Sequence, residues 1–295
     1  MSANPTATAT AFAAERTRLL GIAYRMLGSR ADAEDVLQDA WLRWSESDNS
    51  DVRSTQAWLT TIVTRLSIDR LRSVKAQREV YIGPWLPEPL AEIDSVTPES
   101  KAELASELSL AFLSLLERLG PDERAAFVLH DAFDCDYDDI ADVLGKSAAA
   151  CRQLVHRARE RVMAERQRFK VDEQTRRRML ERFIEVANAG DLPAMKALFA
   201  TDAHLISDGG GRAVAARRIL HGAERIVLLF KMIFQRRGAL EVDRRIVRVN
   251  GELGVATSFR GQLHSVTTFD TDGQRIYAYY SVANPDKLGA FLPHA

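Results

Sequence analysis

The chain has 295 residues, 46% hydrophobic and 27% charged, which allows two or three domains of ordinary globular composition. Its net charge of −1 excludes a global basic field drawing it to nucleic acid or membrane, and its two cysteines, Cys135 and Cys151, cannot build a disulfide framework. No run of about 18 apolar residues suggests a membrane span, and MSANPTATATAF lacks the segments of a secretory signal, so a reducing cytoplasm is expected.

Residues 1–10, rich in Ala and Thr, are expected to be disordered. Apolar positions 12, 19, 20, 23, 24 and 27 form a helical stripe that Gly28 ends. A second helix is predicted over Asp32 to Trp44, with Val36, Leu37, Ala40, Trp41 and Trp44 inward and Glu34, Asp35, Gln38 and Asp39 outward. A third begins near Gln56, packing Trp58, Leu59, Ile62, Val63 and Leu66 and projecting Arg65, Arg70 and Arg72. YIGPWLPEP (81–89) then interrupts the helical texture, because its prolines fix the backbone and remove donors. A solvated linker has no need of Tyr81, Ile82, Trp85 and Leu86. Helices resume from about Lys101 to Lys170. One more, Glu173 to Asn188, precedes β-type runs at 204–207, 240–249, 253–259 and 275–282, with a helix near Gly222 to Gln235 between them. Asn250-Gly251 and Asp272-Gly273 are hairpin signals. The chain therefore reads as two all-α modules followed by an α+β module.

Charge is segregated twice. Residues 32–51 hold seven acids and only Arg43 as a base, whereas 53–78 hold six bases and only Asp69 as an acid. Residues 131–142 carry six aspartates, and 146–170 carry eight Lys/Arg against Glu160 and Glu165. Within YDDIADVLGKSAAACRQLVHRARERV (137–162), Gly145 suits a turn needing positive φ and Ser147 suits a helix N-cap. Cys151, Leu154, Val155, Ala158 and Val162 form an inward stripe, while Arg152, Gln153, His156, Arg157 and Arg159 face outward. This is a helix-turn-helix pattern, since Arg can pair bidentately with guanine and Gln with adenine in a major groove.

At these residues the chain resembles the extracytoplasmic-function (group IV) sigma factors of bacterial RNA polymerase. RADAEDVLQDAWLRW (30–44) is similar to sigma region 2.1–2.2, AWLTTIVTRLSIDRLRS (57–73) to regions 2.3–2.4, and residues 116–162 to region 4. The resemblance implies that Glu34, Asp35, Gln38 and Asp39 dock on the β′ clamp helices of core polymerase. It also implies that Trp58, Arg65, Arg70 and Arg72 engage the −10 element, and that Arg152, Gln153, His156, Arg157 and Arg159 read the −35 element. The β flap and promoter DNA are the further implied partners. The sequence departs from the pattern at Arg65, where many relatives carry Asn. The connector, Asp208-Gly209-Gly210-Gly211 and Asn284-Pro285-Asp286-Lys287-Leu288 resemble the SigJ-type subgroup, which carries a fused SnoaL-like domain. In that light Trp85, Leu86, Pro87, Asp208, Gly209, Gly210, Gly211, Asn284, Pro285, Asp286 and Lys287 are candidate regulatory residues, with Trp85 and Leu86 docking on the C-terminal domain.

The implied organisation is a disordered 1–10, region 2 at 11–80, a linker at 81–104, region 4 at 105–170 and a SnoaL/NTF2-like α+β cone at 172–295. A monomer without cofactor is expected. The six histidines have no metal-ligand spacing. An enzyme in the C-terminal module would draw on His204, Asp208, Asp243, His264 or Tyr279, none of them at a diagnostic spacing. A helix-turn-helix repressor acting without polymerase and a small-molecule sensor or enzyme are the alternative readings. The expected function is a non-enzymatic specificity subunit that directs transcription initiation, tuned in cis by its last domain.

Overall fold

A computed structural model describes residues 5–47, 52–78, 80–91, 108–165, 169, 171–237 and 241–292. The chain divides into two compact units, Met1–Glu79 with Leu113–Arg166, and Val80–Phe112 with Gln167–Ala295.

The first unit is helical. Helices α1 (Pro5–Leu27), α2 (Arg30–Glu46) and α3 (Thr55–Arg78) pack through Leu19, Ile22, Met26, Leu37, Ala40, Leu59 and Val63, all buried. Ser29 caps α2, its hydroxyl accepting from Asp32 N–H. The expected disorder over residues 1–10 is corrected from Pro5 onward. Trp44 Nε1 donates to the Thr8 carbonyl at 3.1 Å, and Phe12 meets the Trp41 ring edge-on. Composition could not count these tryptophan contacts, which supply the partner that Ala and Thr lack. Helix α4 (Leu110–Leu116) contains the division between the units, and α5 (Pro121–Phe133), α6 (Tyr137–Leu144) and α7 (Ala148–Glu165) complete the first. The expected helix start near Lys101 and the linker's end at 104 lie outside the described residues.

A charged network sits inside this unit. Arg124 is fully buried on α5 and donates to the Arg25 carbonyl at 2.8 Å and to Glu117 Oε1 at 2.5 Å. Arg78 pairs with the other oxygen of Glu117 and donates to the Leu27 carbonyl at 2.8 Å. One carboxylate thus holds two cations at the ends of α1 and α3. Burial pushes the Arg78 guanidinium below its ordinary pKa, with Glu117 opposing that shift.

In the second unit α8 (Glu173–Ala189) and α9 (Leu192–Leu198) precede a six-stranded mixed sheet. Its strands are β1 (Phe199–Asp208), β2 (Leu220–His221), β3 (Val242–Val249), β4 (Glu252–Phe259), β5 (Gln262–Thr271) and β6 (Ile276–Val282), in the order β2-β1-β6-β5-β4-β3. Only the β1–β6 pairing is parallel. Helix α10 (Ala223–Arg237) and two 3₁₀ turns (Pro285–Lys287 and Gly289–Phe291) complete the unit. Helix α9 and strand β5 were not anticipated. Asp191 caps α9 by accepting from Ala194 N–H, and the hydroxyl-rich QLHSVTTFDT lacks a plain apolar alternation.

Strand alternation gives the sheet two buried faces. Leu205, Leu253, Val255, Phe269 and Tyr279 point toward Met179, Phe183, Ile226 and Phe230 of the helices. Ile206, Val249, Val266, Ala278, Tyr280 and Val282 point the other way, where Leu86, Leu110 and Leu288 cover them. The connector therefore forms part of a core: Leu86 is 0% exposed.

Candidate interfaces and the linker clasp

On α2, Asp35, Gln38 and Asp39 are exposed, while Glu34 is half-buried and pairs with Arg16 at 2.5 Å. The outward acidic face follows from helical spacing opposite Val36, Leu37 and Ala40. On α3 the bases are not bare. Arg70 donates to Asp32 at 2.5–2.9 Å, which raises its pKa, and Arg72 lies 3.5 Å from Asp69 and 3.1 Å from Asp122. Arg65 donates to the Asp142 and Val143 carbonyls at 2.8 and 2.9 Å, at the C-terminal end of α6. A cation there meets the negative end of the helix and satisfies carbonyls that have no intrahelical partner. Asp69 thus pairs with Arg72, three residues along the helix, while Arg65 is turned to the α6 carbonyls. Trp58 is half-buried, stacks obliquely on Trp44 at 5.1 Å and borders a cleft of about 770 Å³ with Arg53, Gln56, Thr61 and Asp142.

The helix-turn-helix is built as its spacing predicts. Gly145 takes φ +63°, and Ser147 accepts from Ala150 N–H at 3.2 Å. Cys151, Leu154, Val155, Ala158 and Val162 are buried, while Arg152, Gln153, His156, Arg157 and Arg159 are exposed along α7. Arg152 lies over the Tyr137 ring at 4.9 Å, and Arg159 grips both Asp131 oxygens at 2.7–3.1 Å, an arrangement that raises its pKa. Arg157 lies 3.3 Å from Glu123, and His156 3.5 Å from Glu160. Exposed pairs of this kind contribute about 0–1 kcal/mol each, so a phosphate can replace the carboxylate at little cost.

The connector meets the C-terminal domain at a clasp made by the two short motifs. Asp208, 0% exposed at the end of β1, accepts hydrogen bonds from Tyr81 Oη (2.5 Å), Leu86 N–H (2.9 Å), Gly210 N–H (3.0 Å) and Lys287 Nζ (2.7 Å). Lys287 also donates to the Leu86 carbonyl at 2.5 Å and lies 3.9 Å from the centre of the Trp85 ring. Asn284 donates to Tyr81 Oη at 3.0 Å and caps the 3₁₀ turn by accepting from Asp286 N–H. Asp286 in turn pairs with Arg212 beyond the glycine run. Pro285 opens that turn, and Pro87 is buried beside Leu86. Burial and the adjacent carboxylate push the Tyr81 phenol far above its ordinary pKa, so it remains a donor.

The glycines are required by approach. Gly210 and Gly211 have positive φ, and a Cβ on them would collide with Asn284 and Ile82; on Gly209 it would collide with Ala213 and Ala215. A second anchor escaped the sequence reading. Asn250, fully buried with φ +52°, accepts from Leu90 N–H at 2.8 Å, donates its backbone N–H to the Leu90 carbonyl at 2.8 Å, and donates Nδ2–H to the Leu108 carbonyl at 2.7 Å. The signal was there in Asn250-Gly251, but a hairpin turn explained it fully.

The suggested acid–base set is not assembled. His264 and Tyr279 line a cavity of about 240 Å³ between the sheet and α10. Asp208 is committed to the clasp, Asp243 is exposed, and His204 lies against His221 and Tyr280 instead. Among the described residues no group of His, Cys, Asp and Glu is placed to hold a metal ion, and no helix is long and apolar enough to cross a membrane. Both cysteines are free thiols whose pKa burial raises.

Comparison with known proteins agrees with this architecture. Residues 11–77 match the family model for Sigma-70 region 2, 109–162 that for Sigma-70 region 4, and 180–284 that for the SnoaL-like domain. The chain is 38% identical to the ECF RNA polymerase sigma factor SigJ of Mycobacterium tuberculosis over 287 residues, covering 94% of this chain and 92% of that protein. It is 34% identical over 220 residues to the probable ECF RNA polymerase sigma factor SigI of the same species, covering 73% of each. The crystal structure of M. tuberculosis SigJ superposes with a TM-score of 0.75 at 34% identity, covering 96% of this chain and 98% of that one. The chain belongs to the extracytoplasmic-function RNA polymerase sigma factors and carries a C-terminal SnoaL-like domain.

Proposed function

We propose that the protein confers promoter recognition on core RNA polymerase in the cytoplasm and is regulated in cis by its C-terminal domain, without catalysis of its own. The acidic face of α2, at Glu34, Asp35, Gln38 and Asp39, docks on the β′ clamp helices. Trp58, Arg65, Arg70 and Arg72 engage the −10 strand, and Arg152, Gln153, His156, Arg157 and Arg159 engage the −35 duplex, with region 4 meeting the β flap. The protein is a monomer when free. In domain terms, region 2 spans 11–80, the linker 81–104, region 4 105–170 and the regulatory domain 172–295.

One observation carries the regulatory reading: the connector between the two DNA-binding regions is buried in the C-terminal domain at Leu86 and held by Asp208 and Lys287. Holding the connector fixes the tether between regions 2 and 4, and its release lengthens that tether. The clasp residues Trp85, Leu86, Pro87, Asp208, Gly209, Gly210, Gly211, Asn284, Pro285, Asp286 and Lys287 are thus the regulatory set.

Run-off transcription with core polymerase tests both halves. Full-length protein initiates from specific promoters, and a truncation ending near Lys170 initiates with altered efficiency. Absence of initiation from every genomic fragment defeats the sigma assignment, while identical output from the truncation defeats cis regulation.

A further inference from the structure

The interior cavity of the C-terminal domain has the features of a built ligand site. Its walls are aromatic, with Phe183, Phe230, Phe259 and Tyr279 around about 240 Å³. That is just below the roughly 300–1,000 Å³ usual for ligand pockets, which suits a molecule of one or two rings. Polar groups converge on it from the sheet. Arg244, Thr257 and Ser265 stand opposite one another across β3, β4 and β5, so their side chains share one face.

Ser207, Thr257 and Ser265 are 7%, 8% and 8% exposed, line the cavity, and have no side-chain hydrogen-bond partner among the described residues. Hydroxyls on the wall of a cavity can donate to a ligand inside it. Arg244 bonds only a neutral oxygen, Oδ1 of Asn188, among the described residues. No Asp or Glu among the described residues lines the cavity, while Arg236 does. Burial pulls the Arg244 guanidinium below its ordinary pKa, as expected for a cation removed from water without an anion.

We infer that this cavity binds a small planar aromatic monocarboxylate, its rings between the aromatic walls and its carboxylate facing Arg244. A guanidinium presents parallel donors that match a carboxylate, and the hydroxyls supply further donors. The site also adjoins the linker clasp. Ser207 and Ala215 line both this cavity and a cleft of about 100 Å³ that contains Ile82 and Gly83 of the connector with Gly209 and Gly211. Ser207 immediately precedes Asp208, and the cavity residue Ala283 immediately precedes Asn284. An occupant therefore presses on the backbone that carries both clasp motifs. The binding claim stands without the cis-regulatory reading; only its consequence for transcription rests on that reading.

Isothermal titration calorimetry of the full-length protein with 1-naphthoate and its neutral isostere 1-naphthamide tests the inference. The acid is expected to bind about tenfold or more tightly than the amide, a difference of about 1.4 kcal/mol. Arg244→Gln removes that preference, and Arg244→Lys, checked for folding by circular dichroism, retains part of it. Hydrogen exchange at the Leu86 amide, read in the same complex, slows when the cavity fills. No heat from either probe at millimolar concentration overturns the site. Equal affinities, or full preference kept in Arg244→Gln, overturn the assigned anion. Unchanged Leu86 exchange at saturation overturns the coupling to the connector. Transcription that ignores a bound acid, with Leu86 slowed, counts against cis regulation and leaves the site intact.

Discussion

Asp208→Asn is the sharpest probe of the clasp. The substitution keeps volume and removes charge, leaving the Lys287 ammonium, 11% exposed, beside a neutral amide. One side-chain oxygen also becomes a donor and faces either Tyr81 Oη or the Leu86 N–H and Lys287 pair, all of which donate to it in the wild type. Removing one partner of a buried pair costs about 3–5 kcal/mol. Lys287 keeps the Leu86 carbonyl and the Trp85 ring, which offset part of that loss. A net cost of about 2–3 kcal/mol remains, equivalent to roughly 30- to 150-fold faster opening of the connector. Native-state hydrogen exchange at the Leu86 amide reads this directly, because that amide donates to Asp208. The double variant Asp208→Asn/Lys287→Met should recover part of the loss by removing the stranded cation. Leu86 protection within about 0.5 kcal/mol of wild type in the single variant would refute the claim that this carboxylate holds the connector.

Tyr81→Phe keeps the ring and removes a donor to a charged acceptor, so connector protection should fall by about 1.5–3 kcal/mol in the same assay. The Tyr81 phenol has its pKa raised in the folded state, so its stabilisation is complete below the unfolded value near 10 and is lost as pH rises toward the folded one. Wild-type Leu86 protection should therefore hold through neutral pH and fall in strong alkali, and Tyr81→Phe should lack that step. Asn250→Gly preserves the positive φ but strands the Leu90 N–H and the Leu108 carbonyl, at about 1–3 kcal/mol, measured as Leu90 amide exchange. Glu117→Gln leaves Arg78 and Arg124 without their carboxylate and should destabilise the helical unit by about 3–5 kcal/mol in urea denaturation. Asp35→Lys with Asp39→Lys should abolish core-polymerase pull-down while leaving the circular dichroism spectrum unchanged; retained binding would reject α2 as the docking face.

The amino-acid sequence by itself determined most of the helices, though not α9 or the first turns of α1, together with the turn at Gly145 and the inward stripe from Cys151 to Val162, because helical periodicity and turn chemistry act over a few residues. It also singled out the connector, whose composition does not fit its surroundings, while the Asp208 glycine run and the Asn284 motif stood out through the resemblance to SigJ-type sigma factors. Residues far apart in sequence were another matter. Which carboxylate each arginine meets, as with Arg70 and Asp32 or Arg159 and Asp131, depends on how the helices pack. Strand β5 was hidden because both its faces are buried and hydroxyls fill many of its positions. Asn250 looked like an ordinary hairpin corner until the fold brought Leu90 and Leu108 to its amide. Tertiary structure alone decided these matters, since a buried polar group takes the partner that the folded core brings within about 3 Å, whatever their separation along the chain.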